Sequence, residues 1–202
     1  MEINATSAIS IVQPSQMWPG VRAFCTTRAG GISPAPFDSL NLGLGSGDAP
    51  ENVLANRRLL GDLLPGEPAW LKQIHGVNVV DADDAATFGS AMPPPEADAS
   101  VTTCPKRVLA VLTADCLSVV LSDDQGSVLG AAHAGWKGLA AGVLEQTLAM
   151  MQRKQPQASR WRAWIGPGIG ASSFQVGRDV RDAFAAELAL QPSLCLPDPL
   201  VS

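Results

Sequence analysis

Histidine is scarce in this sequence: 202 residues contain only two, His75 and His133. Charge is sparse as well, at 16% of residues, against roughly 25% in an ordinary soluble domain. Hydrophobic residues reach 46%, enough apolar surface to build a core, so global disorder is excluded. No apolar run approaches the ~18 residues that cross a bilayer, and no basic stretch followed by an apolar one opens the chain. A soluble, cytoplasmic protein is expected. Basic clusters are missing too: 14 Lys+Arg face 19 Asp+Glu for a net charge of −5. Without concentrated positive charge to displace counterions, a nucleic-acid surface is excluded. The four cysteines, Cys25, Cys104, Cys116 and Cys195, form no CxxC pair, which argues against a disulfide framework or an all-cysteine zinc site. The length favours one domain over residues 1–202.

What is present is a series of short elements divided by 19 Gly and 16 Pro. Residues 21–27 read as a strand, and Val53, Leu54, Arg57, Leu60 and Leu64 recur at helical spacing. Residues 70–74 and 77–80 read as strands broken at His75-Gly76, and the acidic stretch 81–96 as a solvated excursion. Strands are expected over 98–102, 108–114, 118–121, 128–134 and 161–165. A helix is expected over 139–153, with Leu139, Val143, Thr147 and Met150 or Met151 on one face, and a last helix over 179–188. Hairpin-like strands mixed with helix-connected ones predict an α+β fold.

Strand alternation puts Leu129, Ala131 and His133 on one face, with the imidazole ending an apolar row. Cys116 closes another apolar strand one turn away, so the two are expected at the same edge of one sheet. Adding His75 gives two imidazoles and a thiol, a set that suits zinc with an open fourth position or, by affinity order, copper. The alternative is a buried thiol and two hydrogen-bonded histidines. Lys137 beside the helix start after Gly138, Arg28 beside Gly30-Gly31, and Arg57 are candidate anion donors. The run Gly166-Pro167-Gly168-Ile169-Gly170 is not a dinucleotide loop, because no helix begins at once and no acidic residue follows at the right distance.

Eight short segments occur in order: Thr26-Thr27-Arg28-Ala29-Gly30-Gly31-Ile32-Ser33, Leu40-Asn41-Leu42-Gly43, Asn56-Arg57, Gln73-Ile74-His75-Gly76, Asp98-Ala99, Thr113-Ala114-Asp115-Cys116, Ala132-His133-Ala134-Gly135-Trp136 and Ile165-Gly166-Pro167-Gly168-Ile169. Together they resemble the multicopper polyphenol oxidase (laccase-domain) family, also called the purine nucleoside phosphorylase or peptidoglycan editing factor family, over roughly residues 20–185. The resemblance implies a four-layer α/β/β/α arrangement and a zinc site of His75, Cys116 and His133. It implies phosphorolysis of adenosine, inosine, guanosine or methylthioadenosine, and deamination of adenosine. Arg28, Asn41, Arg57 and Lys137 are then the expected substrate contacts, with nucleoside and phosphate as partners and a monomer or weak homodimer as the assembly.

Other activities attached to the family are copper-dependent polyphenol oxidation and hydrolysis of a misincorporated serine from a cell-wall precursor. Two histidines are too few for several coppers, which disfavours the first. The second suits a metal-free Cys116 nucleophile activated by His133. A binding module with a structural zinc is the non-enzymatic alternative. For deamination, neither Glu96 nor Asp98 is clearly placed as the acid/base.

The sequence departs from the family pattern at Ser118, where proline is common, and at Lys137, where arginine is common; lysine keeps the charge without the bidentate fork. Residues 191–202 match nothing in the family's terminal segments. The expectation is a domain lacking its C-terminal strands, with an exposed sheet edge or apolar patch in their place.

Overall fold

The computed structural model describes residues 9–16, 18–88 and 93–190, without the side chains of 186–190. In chain order the elements are β1 (Ile11–Val12), β2 (Cys25–Thr26), α1 (Pro50–Gly61), β3 (Pro68–Ala69), β4 (Val79–Asp81), β5 (Ala99–Thr102) and β6 (Val108–Leu109). They continue with β7 (Leu117–Asp123), β8 (Leu129–Ala134), α2 (Trp136–Ala140), α3 (Val143–Lys154), β9 (Trp161–Ile165) and α4 (Arg178–Leu190). The fold is mixed α+β. Its centre is a five-stranded sheet of order β4-β5-β8-β7-β9, with β4 parallel to β5 and the other pairings antiparallel. Two small pairs, β1-β2 and β3-β6, stand apart from it.

The register sorts the sheet into two unlike faces. Ala99, Val119, Ala132 and Ala134 point to the side where Val143 packs, and Val101, Val128 and Met151 form a second apolar cluster there. Val143, Thr147 and Met151 of α3 are fully buried at four-residue intervals, so one helical stripe seals this face. The opposite face carries Ser100, Thr102, Ser118, Ser122 and His133, all buried and polar. Asp98, directly before β5, lies on that side beside His133, whose amide donates to the Asp98 carbonyl at 2.7 Å.

Several expected elements are shorter, for identifiable reasons. Only Cys25–Thr26 of residues 21–27 pairs as strand, and the strand expected over 70–74 sits instead at Pro68–Ala69. Of 108–114, only Val108–Leu109 is strand. Further along, the Gln73 side chain both donates to the Leu112 carbonyl (2.8 Å) and accepts from its amide (2.7 Å), so a side chain replaces a neighbouring strand. The single helix expected over 139–153 is two, divided at Gly142, whose φ of 93° belongs to the left-handed region. The strand expected over 161–165 is β9 as read. It is an edge strand, and among the described residues no strand pairs with its outer side; Ile165 there is 60% exposed. Residues 191–202, on which the expectation of missing strands rests, lie outside the described residues.

The stretch 81–96 is not simply solvated. Ala82 is fully buried, and Asp83 accepts hydrogen bonds from the Thr102 hydroxyl, the Thr103 amide (2.8 Å) and the Thr103 hydroxyl (3.0 Å), with Lys154 Nζ 3.0 Å away. Burial pushes the Asp83 carboxyl up, but these donors and the ammonium push it down further, to well below the usual carboxylate range. Because the folded-state pKa lies below the unfolded one, this stabilisation is complete above about pH 4. It fades as the pH falls through the folded value. Asp83→Asn is expected to lower stability at neutral pH by about 1–3 kcal/mol and to flatten the acid limb. Urea midpoints from pH 2 to 7 measure both; parallel curves for the two proteins would exclude this role.

Candidate metal centre

His75, Cys116 and His133 reach one point from three different parts of the chain. Cys116 immediately precedes β7, and pairing of Leu117 with Ala134 and of Ser118 with His133 sets the sulfur at the His133 end of β8. This is the sheet edge the alternation predicted. His75 arrives on the bend before β4, with a φ of 59°. One ligand atom from each of the three lies within 4.8 Å of the others. Cys116 Sγ is 4.0 Å from His75 Nε2, and the imidazoles meet edge to face with centroids 4.8 Å apart. His133 is buried and His75 exposed, so the cluster opens to solvent on the His75 side.

Asp98 stands behind the cluster, with its side chain fully buried. Its Oδ1 is 2.9 Å from His133 Nδ1 and accepts the His75 amide at 2.9 Å; its Oδ2 accepts the amides of Gly76 (2.7 Å) and Ile74 (3.2 Å). Burial pushes the carboxyl up, and these four bonds together hold it below the ordinary carboxylate range. Asp98 is thus an anion with its acceptor sites filled, not a free acid/base. Glu96 is exposed and paired with Lys72 at 2.7 Å. Sequence reasoning missed what Asp98 does, although an acid directly before a strand of alternating apolar and polar residues, Ala99 to Thr102, was a visible signal of a carboxylate on its polar face.

A second feature, whose role the sequence reading did not assign, is Gly135. A Cβ there would lie 3.0 Å from Cys116 Sγ, 3.1 Å from His75 Cδ2 and 3.3 Å from His133 Cε1. The missing side chain leaves the space in which the three ligands converge. Two imidazole nitrogens and one sulfur match a zinc site with an open fourth position, and the glycine cradle leaves room for it. These residues therefore fit a bound metal ion. Burial, aided by the Asp115 charge, pushes the Cys116 thiol up from its ordinary value.

Gly135→Ala tests the cradle directly. The backbone there (φ −60°, ψ 151°) accepts alanine without strain, so the new methyl acts on the ligands and not on the fold. Metal affinity is expected to fall about tenfold or more, on the scale of second-layer changes, with little change in melting temperature. Unchanged affinity by competitive titration would show that the three groups do not close around the space above Gly135.

The four expected substrate contacts are placed differently from one another. Arg28 is exposed and donates to the Asp38 carbonyl at 2.6 Å, with Asp38 Oδ2 3.3 Å away. Asn41 donates to Ser46 (2.7 Å) and Asp48 (3.1 Å) and accepts from the Gly43 amide (3.1 Å), which ties its amide into the loop. Arg57 donates to the Leu42 carbonyl at 2.9 Å and lies 3.8 Å over the Trp70 ring; burial lowers its pKa and the Glu67 charge opposes this. Lys137, two residues beyond Gly135, is exposed and has no carboxylate partner among the described residues; its Nζ is 5.5 Å from the Trp136 ring centroid. Among the described residues, no helix is long and apolar enough to cross a membrane.

A family model described as multi-copper polyphenol oxidoreductase laccase matches residues 22–196. The chain is 45% identical over 183 residues to a purine nucleoside phosphorylase of Pseudomonas aeruginosa, covering 89% of this chain and 72% of that protein. It is 44% identical over 174 residues to the purine nucleoside phosphorylase YfiH of Escherichia coli K12, covering 84% and 68%. Among solved structures, a Neisseria meningitidis protein superposes with a TM-score of 0.76 at 39% identity over 92% of this chain and 73% of that one. YlmD of Geobacillus stearothermophilus gives 0.77 at 31% identity over 88% and 68%.

Proposed function

Because this chain belongs to the multi-copper polyphenol oxidoreductase laccase family, we propose that it is a zinc-dependent purine nucleoside phosphorylase. The observation that carries this reading is the convergence of His75, Cys116 and His133 above Gly135, and the names of its relatives support the reaction class. Its substrates are adenosine, inosine, guanosine and methylthioadenosine, and it works on free nucleoside and phosphate in the cytoplasm as a monomer or weak homodimer. A copper ion suits the same donors, but two histidines in the whole chain are too few for a multicopper oxidase.

Phosphorolysis breaks the bond between C1′ and the purine and forms one between C1′ and a phosphate oxygen. His75, Cys116 and His133 would hold the zinc, which supplies Lewis acidity at an open fourth position. Lys137 is the group proposed to attract phosphate, since it is exposed and follows Gly135 by two residues. Arg57, seated on Trp70, adds a second positive charge, and Arg28 and Asn41 shape the loop that precedes α1. Adenosine deamination, the second activity, needs a free carboxylate. Asp98 is fully engaged, so Asp115, exposed beside Cys116 in sequence, is the group available for it.

The test is release of hypoxanthine from inosine in the presence and absence of phosphate, with metal content measured on the same sample. Phosphate-dependent release that chelation abolishes and zinc restores supports the reading. Lys137→Ala is expected to raise the phosphate KM about tenfold, the worth of one charge-assisted hydrogen bond, with metal content unchanged. The Asp98–His133 bond favours one second reading, a hydrolase in which His133 activates Cys116. That reading replaces the first if chelated protein hydrolyses the cell-wall precursor at full rate and iodoacetamide on Cys116 stops it.

A further inference from the structure

We propose that Asp98 is the positioning residue of the metal site, acting on both histidines through a single carboxylate; this rests on the metal reading above. The carboxylate has two arms. Through Oδ1 it accepts the Nδ1 proton of His133 at 2.9 Å, so the remaining nitrogen, Nε2, carries the lone pair that can face a metal. A carboxylate on the far nitrogen of a ligating histidine fixes its tautomer and ring orientation and raises its basicity.

The second arm reaches His75 through the backbone. The amides of Ile74, His75 and Gly76 all converge on the same carboxylate, a nest of successive N–H groups around an anion. That nest holds His75 at a φ of 59°, a conformation that a non-glycine residue keeps only when its surroundings enforce it. His75 itself is exposed, and its ring meets the other members of the cluster, His133 edge to face and Cys116 at 4.0 Å, so the turn is what aims its imidazole at them. Asp98 is in turn fixed by its place at the head of β5, where its carbonyl accepts the His133 amide at 2.7 Å. One anion therefore orients a strand residue and a loop residue whose rings meet edge to face.

With only two histidines in the chain, nitrogen-15 spectra of the imidazoles resolve both groups in the unsubstituted protein. The expected result, with and without zinc, is a proton on His133 Nδ1, with Nε2 shifting on zinc addition. A His133 Nδ1 without a proton overturns the proposal. Asp98→Asn keeps the shape but places a donor where either His133 or the amide nest requires an acceptor, so zinc affinity is expected to fall about 10- to 100-fold, measured by chelator competition at a temperature where the variant is folded.

The matched control is Asp123→Asn. Asp123 is also buried, accepting the amides of Ser127 (2.6 Å) and Val128 (3.1 Å) and the Ser127 hydroxyl (2.7 Å), but it lies at the far end of β7, about 23 Å along the strand from Cys116. It is expected to lose stability while zinc affinity stays within twofold. An Asp98→Asn protein that binds zinc within twofold of the parent, or an Asp123→Asn protein that loses as much affinity as Asp98→Asn, overturns the positioning role. Should Asp98→Asn fail to fold, the proton on His133 in the parent protein decides. Should the parent bind no zinc, the metal reading fails by itself, and the metal-free spectrum still decides whether Asp98 sets the His133 tautomer.

Discussion

His75→Gly is expected to yield a chain that no longer retains zinc or cleaves nucleosides, yet is as stable without metal as the parent protein or more so. The two effects have separate causes. Four-ligand structural zinc sites are worth about 10–16 kcal/mol in all, or about 2.5–4 kcal/mol per ligand, so losing one ligand corresponds to roughly a 10²- to 10³-fold loss in affinity. The imidazole's contacts are its 4.0 Å approach to Cys116 and its edge-to-face meeting with His133, and it is exposed, so the fold loses little with it. At a φ of 59° glycine relieves a left-handed strain of about 1–2 kcal/mol, partly offset by the greater entropy of its unfolded chain. Metal analysis, a hypoxanthine release assay and a urea titration of metal-free protein measure the three quantities. A variant that retains zinc at parental affinity would remove His75 from the site; one that is markedly less stable would make it a structural residue.

Asn56→Ala is expected to cost more stability than any substitution at the metal ligands. Asn56 is fully buried in α1. Its amide donates to Ser33 Oγ (2.9 Å), the Asn41 carbonyl (2.9 Å) and the Ser39 carbonyl (3.2 Å), while its oxygen accepts the Ile32 amide at 2.8 Å. Gly31 packs against it so closely that a Cβ would come within 2.6 Å of Asn56 Oδ1. Truncation strips partners from one buried amide and several acceptors, and at about 1–3 kcal/mol for each unsatisfied group a loss of roughly 3–5 kcal/mol follows. Asn56→Asp fares no better, because a second carboxylate oxygen then faces the Ser39 and Asn41 carbonyls. Urea unfolding supplies the number. A loss below about 1 kcal/mol would mean that water reaches the network.

This network explains several of the segments that carried the family resemblance. Gly31, Ser33, Asn41 and Asn56 come from three separate segments, but their atoms meet around one buried amide and the Asp48 carboxylate, which accepts Ser33 Oγ at 2.6 Å. The family resemblance makes Asn41 a substrate contact; its side-chain hydrogen bonds run to Ser46, Asp48 and Gly43. No periodicity in the chain encodes which polar residue faces which loop.

The edge placement of Cys116 and His133 was legible because strand period and a single connecting turn fix it: alternation set the face, and the turn at 123–128 set the neighbour. The α3 stripe of Val143, Thr147 and Met151 was legible for the same kind of reason, a helical period against an apolar sheet. The split at Gly142 and the loss of strand after Leu109 were not. They depend on a left-handed glycine and on the Gln73 side chain, which act through geometry rather than composition.

The sequence by itself determined the chemical inventory: two imidazoles and four cysteines as the soft donors, a net charge of −5, an α+β order of elements, and ordered segments that identify the family. Tertiary structure alone decided how that inventory is arranged. It brought His75 to the edge formed by Cys116 and His133, set Gly135 beneath all three, and placed Asp98 where one charge holds both histidines. The physical reason is that periodicity governs contacts within an element and between adjacent strands, whereas the bend at His75 and the amides gathered on Asp98 are set by packing between segments distant in the chain.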